Sequence, residues 1–150
     1  MIGAIGRLRA GPEAALVEHF QKRITAWPLE FREFELKRKV APDRVSDAEG
    51  ALLLAAIPDG AHVIALDETG KLATSKGIAR DLAARQDSGC RHLVFLIGGA
   101  DGHGEAVHAR ADRVIAFGRN TWPHMLMRTL LVEQIYRAQQ IIARHPYHRA

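Results

Sequence analysis

Phe95-Leu96-Ile97-Gly98-Gly99-Ala100-Asp101-Gly102-His103-Gly104 reads as an apolar strand running directly into a glycine-rich loop. The apolar run begins at His92 and ends at Ile97, too short for a helix and bounded by glycines, as a fully buried strand would be. Glu105–Ala111 then reads as a short helix and Arg113–Phe117 as a short strand. Upstream, His62–Leu66 is a strand and Ser75–Gln86 a helix, separated by Asp67–Thr74. Further back, Met1–Leu8 is an apolar strand closed by Gly11-Pro12. Pro12–Ala26 is a helix with Leu16, Val17, Phe20 and Ile24 on one face and proline in its first turn. Leu29–Leu36 alternates, with Phe31, Phe34 and Leu36 among charged residues, and reads as a strand. Lys37–Asp43 is a basic loop, and Ser46-Asp47-Ala48-Glu49 has capping-box spacing that opens a helix to about Ile57. Pro58-Asp59-Gly60 is a turn, and Pro123–Arg144 is the long final helix.

Strands thus alternate with helices along the whole chain. The pattern predicts one α/β domain over residues 1–150, with a mainly parallel sheet and helices on both faces. In such folds ligands bind beyond the strand ends, which directs attention to Asp67–Thr74, Gly98–Gly104 and Gly118–Trp122. There is no internal repeat, low-complexity stretch or interdomain linker.

With 150 residues, 47% of them hydrophobic and 25% charged, the chain has the makeup of a globular domain with a real core. Its formal net charge is +4 and its pI about 9.6, which permits nucleic-acid binding without requiring it. The single cysteine, Cys90, excludes an internal disulfide and a cysteine-based zinc site. No histidine pair has the H-E-x-x-H spacing, so no metal is expected. The N-terminus lacks signal-peptide organisation and no apolar run approaches a membrane span, so a cytoplasmic protein with no membrane partner is expected.

The glycine loop is neither a dinucleotide fingerprint nor a Walker loop, because G-x-G-x-x-G spacing and a Gly-Lys-Ser/Thr end are both missing. Its bland reading is a tight strand-to-helix turn; its functional reading is backbone brought close to a ligand. Leu66-Asp67-Glu68-Thr69-Gly70-Lys71 reads most simply as a turn, although a carboxylate at a strand end could bind a ribose or position a loop. Lys37-Arg38-Lys39, with Arg44, is a solvated basic surface by default and, joined by Lys22, Arg23 and the tail, a phosphate-tracking patch. On the final helix Glu133 and Arg137 have ion-pair spacing, while Arg128 and Arg137 fall on nearly opposite sides. Met125, Leu126, Leu130, Leu131, Ile135, Ile141 and Ile142 exceed one apolar stripe, which suggests a subunit interface. The tail His145-Pro146-Tyr147-His148-Arg149 offers a ring, two imidazoles and a guanidinium, a set suited to RNA.

Five segments together carry a family resemblance: Leu66-Asp67-x-x-Gly70-Lys71; Leu96-Ile97-Gly98-Gly99-x-x-Gly102; Thr121-x-Pro123-His124-x-Leu126-x-Arg128; Glu133-Gln134-x-Tyr136-Arg137-Ala138; and His145-Pro146-Tyr147-His148-Arg149. In order and spacing the chain resembles the bacterial methyltransferases of the SPOUT superfamily that modify N3 of pseudouridine in 23S ribosomal RNA. The resemblance implies a C-terminal deep trefoil knot, which pattern alone would not suggest because knots are very rare. It also implies S-adenosylmethionine as cofactor, held by Leu66, Gly98, Gly99 and the stretch Phe117, Gly118, Arg119, Asn120, Thr121 and Trp122. The family favours an aliphatic residue where this chain has Trp122, and Pro-Glu where it has Ala100-Asp101. The expected partners are a second copy of the chain, with the tail reaching the partner's pocket, and ribosomal RNA on the assembled ribosome. Expected roles are His148 or His124 for the N3 proton, Arg149 and Arg128 for charge, and Tyr147 for stacking. A SPOUT enzyme acting on transfer RNA, a non-catalytic ribosome-binding factor and an unknotted nucleotide-binding domain are the competing readings.

Overall fold

The structure, a computed structural model, describes residues 1–147. Five strands form one sheet: β1 (Ile2–Ile5), β2 (Phe31–Phe34), β3 (His62–Leu72), β4 (Leu93–Ile97) and β5 (Arg113–Ala116), in the order β2-β1-β4-β3-β5. Every pairing is parallel, as the alternation of strands and helices requires. The helices are α1 (Pro12–Gln21), α2 (Val45–Ala55), α3 (Ser75–Asp87), α4 (Glu105–Arg110) and α5 (His124–Ile142), with a 3₁₀ turn at Pro42–Arg44.

Period-two alternation splits the core into two layers. Ile64, Leu66, Phe95 and Ile97 face α1, α3 and α5, packing with Val17, Ile78, Leu82, Leu131 and Ile135. Val63, Ala65, Val94 and Leu96 face the other side and meet Leu53 of α2 and Val107 of α4. The central strands β3 and β4 are buried on both faces, so they read as continuous apolar runs.

Three local expectations are corrected. α1 stops at Gln21 rather than Ala26, because the N–H groups of Thr25 and Ala26 both donate to the Gln139 side chain of α5, each at 2.8 Å. That claim on the backbone holds the chain out of helix; Leu16, expected on the buried face, is 45% exposed. α2 begins at Val45 with Arg44 as N-cap and no side-chain cap, so the Ser46–Glu49 spacing is not a capping box. Its acidic residues serve a different contact, with the glycine loop described below. At the other end of the chain α5 closes at Ala143, with Arg144 in the left-handed region (φ 53°) and His145 N–H donating to Gln140 C=O, a Schellman-type end.

The largest departure is in β3. Asp67–Thr74 was expected to be a loop, yet β3 continues to Leu72. Leu66 and Lys71 both pair with Ile115, so Asp67–Gly70 is an excursion inserted within one strand. The excursion closes because Gly70 lies flat on β5; a Cβ there would sit 2.6–2.8 Å from the Ile115 backbone. No flexible side chain can yield at that point. Gly70→Ala is therefore expected to lower unfolding free energy by about 2 kcal/mol or more, read as a reduced denaturant midpoint at unchanged m-value.

Candidate active site

Because all strands run the same way, their C-terminal ends share one edge of the sheet. There the excursion after Leu66, the glycine loop after Ile97 and the segment after Ala116 surround a cavity of about 430 Å³, a volume suited to a small cofactor. Leu66, Gly98 and Gly99 line it, as do Phe117, Gly118, Asn120, Thr121 and Trp122. His124 and Met127, from the first turns of α5, complete that wall. Arg119 is exposed and is not part of the lining.

The glycine loop folds back on itself. Gly99 and Gly102 bridge, Gly102 takes φ 71°, and a Cβ on Gly98 would lie 2.8 Å from the Gly102 carbonyl oxygen. Beneath it, the α2 acids are pressed against the loop: a Cβ on Gly104 would meet Asp47 Oδ1 at 2.6 Å, and one on Gly99 would meet the Glu49 carboxylate. Burial, with Asp101 nearby, raises the Glu49 pKa.

Several lining residues stand outside the set of cofactor contacts expected from the sequence. Asp67 holds its own excursion in shape, its Oδ1 accepting from the Thr69 N–H (2.9 Å) and hydroxyl (2.7 Å). Its Oδ2 faces His108 Nε2 at 3.4 Å, and its side chain is only 9% exposed. Burial would push this carboxyl up, but the Thr69 hydrogen bonds and the neighbouring histidines hold it below its ordinary value. The Thr121 hydroxyl donates to Glu68 Oε2 at 2.9 Å, tying the excursion to the segment before α5. His103 sits across from His108, ring centroids 6.2 Å apart, with its Nε2 buried and without a partner. Strand-end position was the available signal for Asp67. Nothing local marked His103 and His108, which reach the cavity only through the path of the loop and α4.

The carboxylates Asp67, Glu68 and Asp101 line the cavity, and among the described residues no lysine or arginine does. The wall between them is apolar, from Leu66, Ile97, Ile115 and Phe117. Such a site suits a flat apolar group attached to a cation and repels phosphates.

The other expected site residues are placed apart from the cavity. Arg128 is fully buried: it donates to the carbonyls of Ile5 and Gly6, each at 2.6 Å, and to Glu33 Oε1 at 2.6 Å. It anchors the start of α5 to the ends of β1 and β2 and does not reach the cavity lining. Tyr147 folds back along the middle of α5, donating to Glu133 Oε1 at 3.2 Å, edge-on to Tyr136 and under Arg137. Glu133 lies nine helical residues from His124, about 14 Å along α5, and Tyr147 does not line the cavity of its own chain. His148 and Arg149 lie outside the described residues. Lys22 and Arg23 follow the C-terminal end of α1, where Lys22 pairs with Glu18 and Arg23 lies 4.3 Å over the Tyr136 ring; they are not beside Lys37–Lys39.

Burial lowers the pKa of both His103 and His124, aided at His124 by the Arg128 charge. The unfolded chain thus takes up these protons at higher pH than the folded one. Their stabilising contribution is complete above about pH 6.5 and is lost as pH falls through the depressed values. Thermal unfolding is expected to show a lower midpoint at about pH 5 than at about pH 8, and His103→Leu should flatten that dependence. An equal pH dependence in the variant would remove His103 from the account.

Comparison with known proteins places the whole chain. The family model described as "Predicted SPOUT methyltransferase" matches residues 1–148. Ribosomal RNA large subunit methyltransferase H of Rhodospirillum centenum is 50% identical over 149 residues, covering 99% of this chain and 97% of that one. The protein of the same name from Paramagnetospirillum magneticum is 49% identical over 149 residues, again 99% and 97%. Among solved structures, TrmJ from Z. mobilis ZM4 superposes with a TM-score of 0.58 over 92% of this chain and 69% of its own, at 17% identity, a likeness of fold. With a family match from end to end and half its residues shared with full-length relatives, the chain belongs to the SPOUT methyltransferase family, alongside the proteins named ribosomal RNA large subunit methyltransferase H.

Proposed function

We propose that this protein is an S-adenosylmethionine-dependent methyltransferase that methylates N3 of a pseudouridine in 23S ribosomal RNA, working as a cytoplasmic homodimer on the assembled ribosome. The observation that carries the reading is the charge of the cavity: carboxylates line it and no lysine or arginine does. A phosphate-bearing nucleotide would be repelled there, whereas a cationic sulfonium carrying an adenine fits both the charge and the apolar walls. The names of the full-length relatives supply the RNA class.

When bound, S-adenosylmethionine supplies an activated methyl group whose transfer leaves the carbon–sulfur bonding pair on sulfur. The protein's task is alignment and proton removal. Phe117 and Trp122 offer apolar surface for the adenine, and the folded Gly98–Gly102 loop brings backbone close enough to read its edge. Asp67, Glu68 and Asp101 balance the positive charge. The N3 nitrogen of pseudouridine must give up its proton to attack the methyl carbon. His124 lines the cavity and, with its pKa lowered by burial, is neutral near pH 7 and free to accept that proton. Arg128 acts through His124, one helical turn away, by fixing the start of α5.

The position of the tail supports the dimer. Tyr147 is held at Glu133, about 14 Å along α5 from His124, and does not line the cavity of its own chain, so a tail that stacks on substrate does so at the cavity of a second copy. Ile142, 41% exposed, and the partly buried Leu126, Leu130 and Ile141 of α5 give such a copy an apolar surface to cover. Tyr147 with His148 and Arg149 would close the partner's site. The C-terminal half, from β3 onward, is proposed to be knotted in a trefoil. The return of Phe117–Trp122 against the excursion and the glycine loop supports this reading.

The defining experiment is transfer of a labelled methyl group from S-adenosylmethionine to ribosomes lacking the modification, with the product nucleoside identified by mass spectrometry. Label on a large-subunit pseudouridine is expected. Label only on transfer RNA would replace the substrate, and neither transfer nor cofactor binding would leave a ribosome-binding factor. Sedimentation at micromolar concentration should give twice the 16.6 kDa chain mass. Deleting Tyr147–Ala150 should cut methyl transfer roughly 100-fold while cofactor binding, followed by Trp122 fluorescence, changes little. Loss of cofactor binding as well would make the tail structural.

A further inference from the structure

We propose that a cationic rim of Arg7, Arg9, Lys37, Arg38 and Lys39, beyond the ends of β1 and β2, is the surface that docks the phosphate backbone of the substrate RNA. The inference rests on the RNA methyl-transfer reading above and adds to it where the RNA lies.

Position comes first. The strands are parallel, so the segments following β1 and β2 open onto the same edge as the cavity at β3, β4 and β5. The two segments are joined: Gly6 N–H donates to Phe34 C=O at 2.7 Å, Leu8 N–H to Glu33 Oε1 at 2.8 Å, and Arg7 pairs with Glu35 at 3.0 Å. They also abut the cavity wall, since a Cβ on Gly6 would lie 3.5 Å from Nε2 of His124.

Charge then separates the two halves of this edge. The cavity lining carries Asp67, Glu68 and Asp101 and no lysine or arginine, the exposed Arg119 standing outside it. On the rim half all five cations are exposed, and among the described residues Arg9, Lys37, Arg38 and Lys39 have no carboxylate partner. The Arg7–Glu35 pair is open to solvent, with side chains 75% and 51% exposed, so it costs little to exchange for a phosphate. A polyanion is thereby drawn to the rim and kept out of the carboxylate-lined cavity, leaving only an extruded base to enter.

The rim's makeup selects the partner group. No aromatic residue lies in Arg7–Arg9 or Lys37–Lys39, so there is no platform for base stacking. Isolated cations on exposed loops read backbone phosphates, without sequence preference and with strong salt dependence.

The test uses the full-length protein with purified ribosomes lacking the modification. The variant is Lys37→Glu/Arg38→Glu/Lys39→Glu, confined to an exposed loop. Co-sedimentation should show ribosome affinity weakened roughly 10-fold or more near 0.1 M salt, and the slope of log affinity against log salt reduced by about 2–3. Cofactor binding, read by Trp122 fluorescence, should stay within about twofold, as should ribosome binding by a Lys22→Glu/Arg91→Glu control at the opposite edge. Wild-type affinity and salt slope in the triple variant would overturn the proposal. If wild type binds ribosomes, the triple variant does not, and neither transfers methyl, the docking surface stands and the methyl-transfer reading falls. Failure of wild type itself to bind ribosomes would sink the RNA reading and this surface with it.

Discussion

The guanidinium of Arg128 joins parts of the chain that nothing else brings together. It leaves the second turn of α5, is completely removed from solvent, and donates to two carbonyls at the end of β1 and to a carboxylate on β2. Nη1 and Nη2 make these three hydrogen bonds while Nε is buried without a partner, and removing one member of such a buried ion pair typically costs about 3–5 kcal/mol. The start of α5 is therefore pinned to the C-terminal edge of the sheet. Because the cavity wall from Phe117 to His124 leads into that helix, the wall is pinned with it. The same clamp holds Gly6 against His124, so the cavity and the cationic rim keep a fixed relation.

The two glycine contacts that shape the cavity work by absence of a side chain. Gly70 lets the β3 excursion close on Ile115, and Gly98 lets the loop after β4 fold onto Gly102. The excursion then turns Asp67, Glu68 and Thr69 toward the cavity, and Thr69 locks Asp67 in its ionised form. The α2 carboxylates press the glycine loop from below. A site of this kind is built mainly from backbone shape and negative charge. That explains why neither a phosphate-binding motif nor a metal-ligand spacing is found in the chain.

Charge division along one sheet edge gives the fold its functional economy. In the proposed reaction a methyl donor bearing positive charge and an RNA bearing negative charge approach the same few ångströms. The carboxylates after β3 and β4 suit the first by charge, the cations beyond β1 and β2 suit the second, and His124 lies between them. Tyr147, held at Glu133 near the middle of α5, does not line this cavity.

Much of this was legible from the chain alone. Apolar runs at His62–Leu66 and His92–Ile97, with helical periods between, specify a parallel α/β sheet because both faces of such strands must be covered. The strand-end rule and the family motifs also locate Leu66, Gly98, Gly99 and Phe117–Trp122 at one edge. Local pattern could not show that β3 resumes after Asp67–Gly70, since the resumption depends on Ile115 pairing twice. Nor could it show that Ser46–Glu49 serves the glycine loop instead of its own helix cap, or that Thr25 and Ala26 are taken out of helix by Gln139. Residue chemistry made Arg128 a candidate for substrate charge, and only burial assigned it to the backbone of β1. Sequence periodicity fixes which faces are buried, because hydrophobic burial is read residue by residue. Tertiary structure decides which polar group meets which, because those partners lie up to 123 positions apart in the chain.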